Sequence, residues 1–279
     1  MFKRVIDDFD LKNTFFNGQC FRFEERGDGF VGVVAGKVIY LEQRGREFTV
    51  DGVSEAEFDE FFWDYFDLGR DYRKISDGFE QEENLKRAIE YGRGMRILRQ
   101  DKWEALVSFI ISQNNNITRI RAIIKRLSEW FGTAIEYNGE VFYSFPTREQ
   151  FKDATEDDFF KLGCGYRSKY LAGLYNATEG LDLERLAEIG YEEAKAELLK
   201  IQGIGPKVAD CILLFGLNYF DAFPVDTWIK KVMEVFFLKK SASVNEIYNY
   251  SRKAFGEYAG LAQQYLFYYA RENKLKGID

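Results

Sequence analysis

Two glycines and a proline at residues 203–206 constrain this chain more than any other feature. Ile201-Gln202-Gly203-Ile204-Gly205-Pro206-Lys207 is flanked by apolar residues at helical spacing, Ala194, Leu198 and Leu199 before it and Val208, Ala209, Ile212 and Leu213 after it. The glycines permit a sharp turn and close backbone approach, and Pro206 fits the first turn of a helix, where an N–H has no intrahelical partner. The spacing predicts helices over 191–201 and 206–217, joined by a tight hairpin, with Lys207 at the head of the second. Free N–H groups at such a helix start suit a phosphate. The turn by itself serves equally well as a packing joint between helices.

The chemistry open to the chain is narrowed by what it lacks. There is no histidine, so histidine triads, histidine metal ligands and histidine acid–base catalysis are excluded, and Lys, Asp, Glu, Tyr and Cys remain. Cys20, Cys164 and Cys211 are odd in number and far apart, against a disulfide framework, a zinc site or a four-cysteine iron–sulfur loop. No apolar run is long enough to span a bilayer, and MFKRVIDDFD has no signal-peptide core, so an intracellular, soluble protein is expected, cytoplasmic or nucleoid-associated. The net charge is −7, yet Arg93, Arg96, Arg99, Lys102, Arg119, Arg121, Lys125 and Arg126 cluster. That cluster reads as one basic face on an acidic protein, compatible with a polyanion partner, or as solvated helix faces.

Along the chain, residues 1 to about 52 read as an antiparallel meander: residues 21–23, 30–34, 37–41 and 47–50 are rich in β-branched or aromatic side chains and separated by glycine turns. Ser54 and Glu57 form a capping box, after which Phe58, Phe61, Phe62 and Tyr65 share a helical face. Helices follow near 102–113, 117–131, 147–161, 165–179, 227–238, 244–255 and 258–271 besides the hairpin pair. The expected class is α+β, with a β-rich unit and helical tail over 1–85 packed on a helical body over 86–279. Asn114, Asn115 and Asn116 should break a helix and present amides to a cleft. Asp226, after Pro224 and before a helix, is an N-cap candidate.

Taken together, Ile201-Gln202-Gly203-Ile204-Gly205, Lys207 and Pro224-Val225-Asp226 resemble the helix-hairpin-helix DNA glycosylases. Asn17-Gly18-Gln19-Cys20-Phe21-Arg22, Ser112-Gln113-Asn114-Asn115-Asn116-Ile117-Thr118-Arg119 and Gly165-Tyr166-Arg167 narrow the resemblance to the 8-oxoguanine DNA glycosylases and extend it over nearly the whole chain. It implies a bifunctional enzyme on duplex DNA, acting as a monomer: Lys207 attacks the sugar and forms a Schiff base, and Asp226 stabilises positive charge. Desolvation and a helix N-terminus are expected to lower the Lys207 pKa. The Gly18 carbonyl is implied to accept the ring N–H that distinguishes 8-oxoguanine from guanine. Cys211 and Phe267 sandwich the flipped base, Gln263 meets its Watson–Crick edge, and Phe215 stands at the pocket wall. Asn114, Arg119 and Arg167 face the orphaned cytosine, Tyr166 wedges into the stack, and Gly203 and Gly205 grip the backbone. No cofactor is implied beyond a structural ion on the hairpin carbonyls. Trp228, where many members carry a histidine, departs from the pattern, as does the bulk of Phe215. A monofunctional glycosylase for another base and a noncatalytic hairpin DNA-binding protein are the competing readings.

Overall fold

The computed structural model describes residues 1–79 and 83–273. Five antiparallel strands open it: β1 (Phe2–Val5), β2 (Phe23–Arg26), β3 (Gly29–Val34), β4 (Lys37–Arg44) and β5 (Glu47–Asp51), in the order β1-β5-β4-β3-β2. Glycine turns set the β3–β4 and β4–β5 registers, pairing Val33 with Val38 and Arg44 with Glu47. β1 is an addition to the expected meander; it pairs Phe2 with Val50, a distant partner that local pattern does not reveal.

Strand alternation sends Ile39, Leu41, Phe48 and Val50 to one face, where they pack with Phe15, Phe58, Phe62 and Phe66. Val31, Val33 and Val38 point to the other face, under a second hairpin, β6 (Ala134–Tyr137) and β7 (Glu140–Tyr143). The Ser54–Glu57 capping box forms as expected. The residues after it, Phe58–Phe62, take a π-turn rather than α geometry. The wider turn keeps Phe58, Phe62, Tyr65 and Phe66 buried and leaves Phe61 exposed.

The sheet's core runs to Leu68, and Leu98 returns to it; from Tyr72 onward the side chains join the core of the helical body. Helices Lys102–Ser112, Ile117–Phe131, Ser168–Ala177, Tyr191–Leu199, Pro206–Phe215, Val244–Phe255 and Ala259–Asn273 build that body, within a residue or two of expectation at most ends. The segment expected as one helix over 147–161 is split into Glu149–Phe151 and Glu156–Lys161, because Thr155 and Asp158 form a capping box that starts a new helix. No helix among the described residues is long and apolar enough to cross a membrane.

Gln19, fully buried, ties the two cores together. Its Nε2 donates to the Thr14 and Arg96 carbonyls (2.9 and 2.7 Å), and its Oε1 accepts from Leu98 N–H (2.8 Å). Gln100 Nε2 donates to the Gln19 carbonyl (2.9 Å). The neighbouring Gly18 is thereby held at the junction of sheet and helical body.

Candidate active site

A cleft of about 790 Å³ opens at that junction, lined by Gly18, Phe109, Asn114, Tyr166, Gly205, Lys207, Asp226 and Phe267 among others. The hairpin between Tyr191–Leu199 and Pro206–Phe215 forms as the glycines predict. Gly203 has φ +96°, and a Cβ there would lie 2.5 Å from the Tyr170 ring. Gly205 has an ordinary φ of −94° and is the N-cap of the second helix, with Pro206 next and open space where a side chain would point. The two glycines therefore do different things: Gly203 makes the turn, and Gly205 leaves the cleft side bare. Gly203→Ala is expected to destabilise the fold by more than about 1 kcal/mol through strain and clash. Gly205→Ala should leave the melting temperature alone and weaken duplex binding; equal losses of stability in both would contradict this division.

Lys207, on the second helix, is half-buried on the cleft wall, with Cys211 one turn further on. Its ammonium lies above the usual lysine value: burial pulls it down, but the Cys211 sulfur and the Asp226 carboxylate raise it by more. The expectation of a lowered pKa is thus corrected, because desolvation and the helix N-terminus were considered without Cys211 and Asp226. Burial pushes the Cys211 thiol up to about 11, so near neutrality its sulfur is uncharged, and Asp226 is the anion that holds the proton on Lys207. Asp226 caps the helix Thr227–Val232, its Oδ1 accepting from Ile229 N–H at 2.7 Å. Burial raises its carboxyl above the ordinary aspartate value, against the pull of the Ile229 N–H and Lys207.

The hairpin's two helices are locked by a polar cluster that sequence reasoning missed. Asp210, fully buried, pairs with Lys195 (2.7 Å) and accepts from the hydroxyls of Tyr191 (2.6 Å) and Tyr248 (2.5 Å). Burial raises its carboxyl while Lys195 and both tyrosines pull it back. Lys195 and Asp210 stand on opposite arms of the hairpin, so the pair fixes the angle at which Lys207 is presented.

The asparagine run breaks the helix as expected. The helix Lys102–Ser112 ends, Asn114 adopts a left-handed φ of +44°, and Asn116 caps Ile117–Phe131 by accepting from Arg119 N–H at 2.9 Å. Arg119 Nη2 donates to the Gly163 carbonyl (3.2 Å). Tyr166 is 51% exposed on the cleft rim and Arg167 only 3% exposed. Arg167, implied by the resemblance to face an orphaned cytosine, is turned inward here: its guanidinium holds the Gln113, Asn114 and Cys164 carbonyls. The adjacent loops claim it in the free protein.

The basic face also dissolves. Arg96 is buried, its guanidinium bonded to the carbonyls of Asp7, Asp8, Asp67 and Arg70. Arg99 pairs with Asp64 and Asp67, and Lys102 with Glu184. Arg121 bonds the Phe15 and Phe23 carbonyls and Arg126 that of Leu162. A run of cations in sequence is here mostly structural.

Of the residues assigned to the base pocket, Gly18 and Phe267 line the cleft. Gly18 has φ +99°, and a Cβ there would stand 3.2 Å from Phe267 Cε1, so only glycine fits under that ring. Cys211 and Gln263 are buried, the latter with an Oε1 that lacks a hydrogen-bond partner. Phe215 stacks on Phe109 (centroids 5.3 Å apart, 19° between planes), and Phe109 is the one that faces the cleft. Phe215 therefore backs the wall rather than forming its surface. Val225, inside the Pro224-Val225-Asp226 motif, and Trp228, the departure from the family pattern, also line the cleft beside Asp226.

Residues 2–106 match the family model of the 8-oxoguanine DNA glycosylase N-terminal domain, and residues 107–257 that of the HhH-GPD superfamily of base excision DNA repair proteins. The N-glycosylase/DNA lyase OGG1 of Arabidopsis thaliana is 31% identical over 95% of this chain and 78% of its own length. The chain belongs to the 8-oxoguanine DNA glycosylases. Similar to this glycosylase are also a probable N-glycosylase/DNA lyase of Methanothermobacter thermautotrophicus, 31% identical over 71% of the chain and 70% of that protein, and a solved structure. The latter is a Clostridium acetobutylicum 8-oxoguanine glycosylase/lyase in complex with double-stranded DNA containing cytosine opposite 8-oxoguanine. It has TM-score 0.93 and 39% identity, with 99% of both chains covered. The junction of the two family models, between 106 and 107, falls inside the helix Lys102–Ser112, so the glycosylase carries its cleft across both units.

Proposed function

We propose that Lys207 and Asp226 carry the chemistry of this enzyme, a bifunctional DNA glycosylase and lyase that excises 8-oxoguanine from duplex DNA and cleaves the strand at the site. The observation that carries the proposal is a half-buried lysine and a half-buried carboxylate sharing a cleft with a bare glycine hairpin. The nucleotide is flipped out, because its glycosidic bond is out of reach inside the stack. Departure of the base leaves positive charge on the sugar, which the Asp226 carboxylate stabilises. The Lys207 amine bonds to the anomeric carbon and loses a proton; the C1′–O4′ bond breaks with protonation of O4′ to give the iminium, and β-elimination removes a C2′ proton as the C3′–O bond breaks and the 3′ phosphate leaves. Lys207 must lose its proton before it attacks, which its raised pKa makes harder near neutrality.

Around this centre, Gly18, Cys211, Gln263 and Phe267 hold the flipped base, with Phe215 behind them. Tyr166 fills the gap, and Asn114, Arg119 and Arg167 favour cytosine opposite. Gly203 and Gly205 seat the strand. The enzyme works as a monomer inside the cell. It needs no cofactor; hairpin carbonyls are hard donors suited to an alkali or alkaline-earth cation, whose role would be to steady the strand.

Duplexes holding 8-oxoguanine opposite each of the four bases, alongside 3-methyladenine and adenine mispairs, test the reading by base release and strand nicking. Release and nicking on 8-oxoguanine, fastest opposite cytosine, is the expected result. Rates should rise with pH. Asp226 acts only when ionised, and its raised pKa places the acid loss higher than for an ordinary aspartate; Lys207 acts only when neutral, so its raised pKa carries the rise past neutrality. A rate that fell between about pH 6 and about pH 9 would contradict these assignments.

A further inference from the structure

Among the described residues, Asn17 Nδ2, Gln263 Oε1 and Arg271 Nη1 are buried polar atoms without a hydrogen-bond partner. They gather along one seam. Gln264 Nε2 donates to the Asn17 carbonyl (3.0 Å), and Arg271 Nη2 donates to the Phe16 carbonyl (2.6 Å), so the helix Ala259–Asn273 is stitched to the loop that carries Gly18. Gln263, Phe267 and Arg271 stand four apart in turn, on one stripe of that helix.

Arg271 is held in place from its outer side. Nε donates to Glu272 Oε1 (2.9 Å), Nη2 pairs with the same carboxylate and with Phe16, and the guanidinium lies 5.5 Å from the Phe267 ring centroid. Nη1 is the inner end. A Cβ on Gly18 would meet Arg271 Nη1 and Phe267 Cε1 at the same 3.2 Å, which puts this nitrogen beside Gly18 at the edge of the aromatic wall. A guanidinium keeps its charge throughout the working pH range, and a buried charged donor without an acceptor is costly to maintain. Arg271 is not itself in the cleft lining, but its Nη1 stands directly behind Gly18 and Phe267, which are, and an unpaired charged donor there marks where a ligand oxygen belongs.

Resting on the reading of the base as 8-oxoguanine, we propose that Arg271 is a specificity residue whose Nη1 donates a hydrogen bond to the C8 carbonyl oxygen. An oxidised purine presents N7–H and C8=O side by side, and a backbone acceptor at Gly18 next to a cationic donor at Arg271 is the matching pair. Guanine offers a lone pair and a C–H in those places. It meets repulsion at Gly18 and leaves Arg271 Nη1 unpaired, so both protein groups act against it.

The test pairs one side chain with one base atom. Arg271→Met is measured for single-turnover excision of 8-oxoguanine and of 8-thioguanine, which keeps N7–H and replaces the C8 oxygen with a weak sulfur acceptor. Removing a charged hydrogen bond should lower excision of 8-oxoguanine by about tenfold or more, and that of 8-thioguanine by clearly less. Cleavage at a preformed abasic site, where no base meets this wall, should fall less than excision does. Equal fold-losses on the two bases would mean that Arg271 only braces the Gly18 loop, and would overturn the proposal. Should the methionine variant also lose abasic cleavage, Arg271→Gln, which keeps a polar side chain, repeats the comparison: a larger loss on the oxygen base supports the hydrogen bond, and equal losses overturn it. Wild-type protein that leaves 8-oxoguanine intact would instead overturn the reading of the substrate.

Discussion

Lys207→Gln is expected to abolish the covalent adduct formed with 8-oxoguanine duplex in the presence of borohydride and to lower excision by at least about a thousandfold. Glutamine is close to lysine in length, so the helix start at Pro206 and the packing against Cys211 change little. What is lost is the amine able to become an iminium at this position, Lys230 being the other lysine that lines the cleft. The variant also separates two schemes. If the adduct vanishes and excision persists, water rather than Lys207 displaces the base, and the lysine serves strand cleavage alone. If the adduct persists, the nucleophile lies elsewhere, and the assignment of Lys207 fails. Binding of 8-oxoguanine duplex, read by gel shift, guards against loss through misfolding.

Asp226→Asn is the second large effect, because it divides two functions held by one side chain. The Oδ1 that accepts from Ile229 N–H at 2.7 Å does so as a cap, and asparagine caps about as well as aspartate. Stability should stay within about 0.5 kcal/mol of wild type. The charge facing the sugar disappears, and the rate should fall by about 10² to 10³. Asp226→Ala loses both and should cost about 1 kcal/mol of stability in addition. A near-normal rate in Asp226→Asn would reduce this carboxylate to a structural cap.

How much of this was legible beforehand follows from the range of the forces involved. Gly203, Gly205 and Pro206 act on their own φ angles, so the hairpin could be read from a short run of residues. The capping box of Ser54 and the cap of Asp226 are equally local. The hairpin β6–β7 was missed although Asn138-Gly139, both at positive φ, is a strong turn signal; its strands are short and largely exposed, and they lack the apolar alternation of a half-buried sheet. For β1 there was no local signal, since its pairing to β5 is made across the whole sheet.

In the site, residue types were legible and environments were not. Tyr166 and Arg167 are neighbours in sequence, and no pattern says which turns inward; three carbonyl oxygens decide it for the arginine. Partial desolvation of Lys207 was foreseeable from its apolar helix, but the sign of its pKa shift depends on Asp226, farther along the chain, and on Cys211. The cations from Arg93 to Arg126 looked like one surface because counterions and carbonyls brought in by the fold cannot be seen in one dimension. Arg271 carried no motif at all, and only its unpartnered nitrogen beside Gly18 sets it apart.

The inward turn of Arg167 has a consequence for the proposed reading of the opposite base. A guanidinium that already holds the Gln113, Asn114 and Cys164 carbonyls does not wait for a partner; it must be drawn away from one. Contact with an orphaned base is therefore an exchange reaction, and its yield is the difference between two sets of acceptors rather than the full strength of either. Cytosine, with two acceptors on one edge, can compete in that exchange, whereas a base offering donors cannot. The same latch keeps a strong phosphate-binding group out of circulation on undamaged DNA, so the protein can move along intact duplex without an extra ionic anchor.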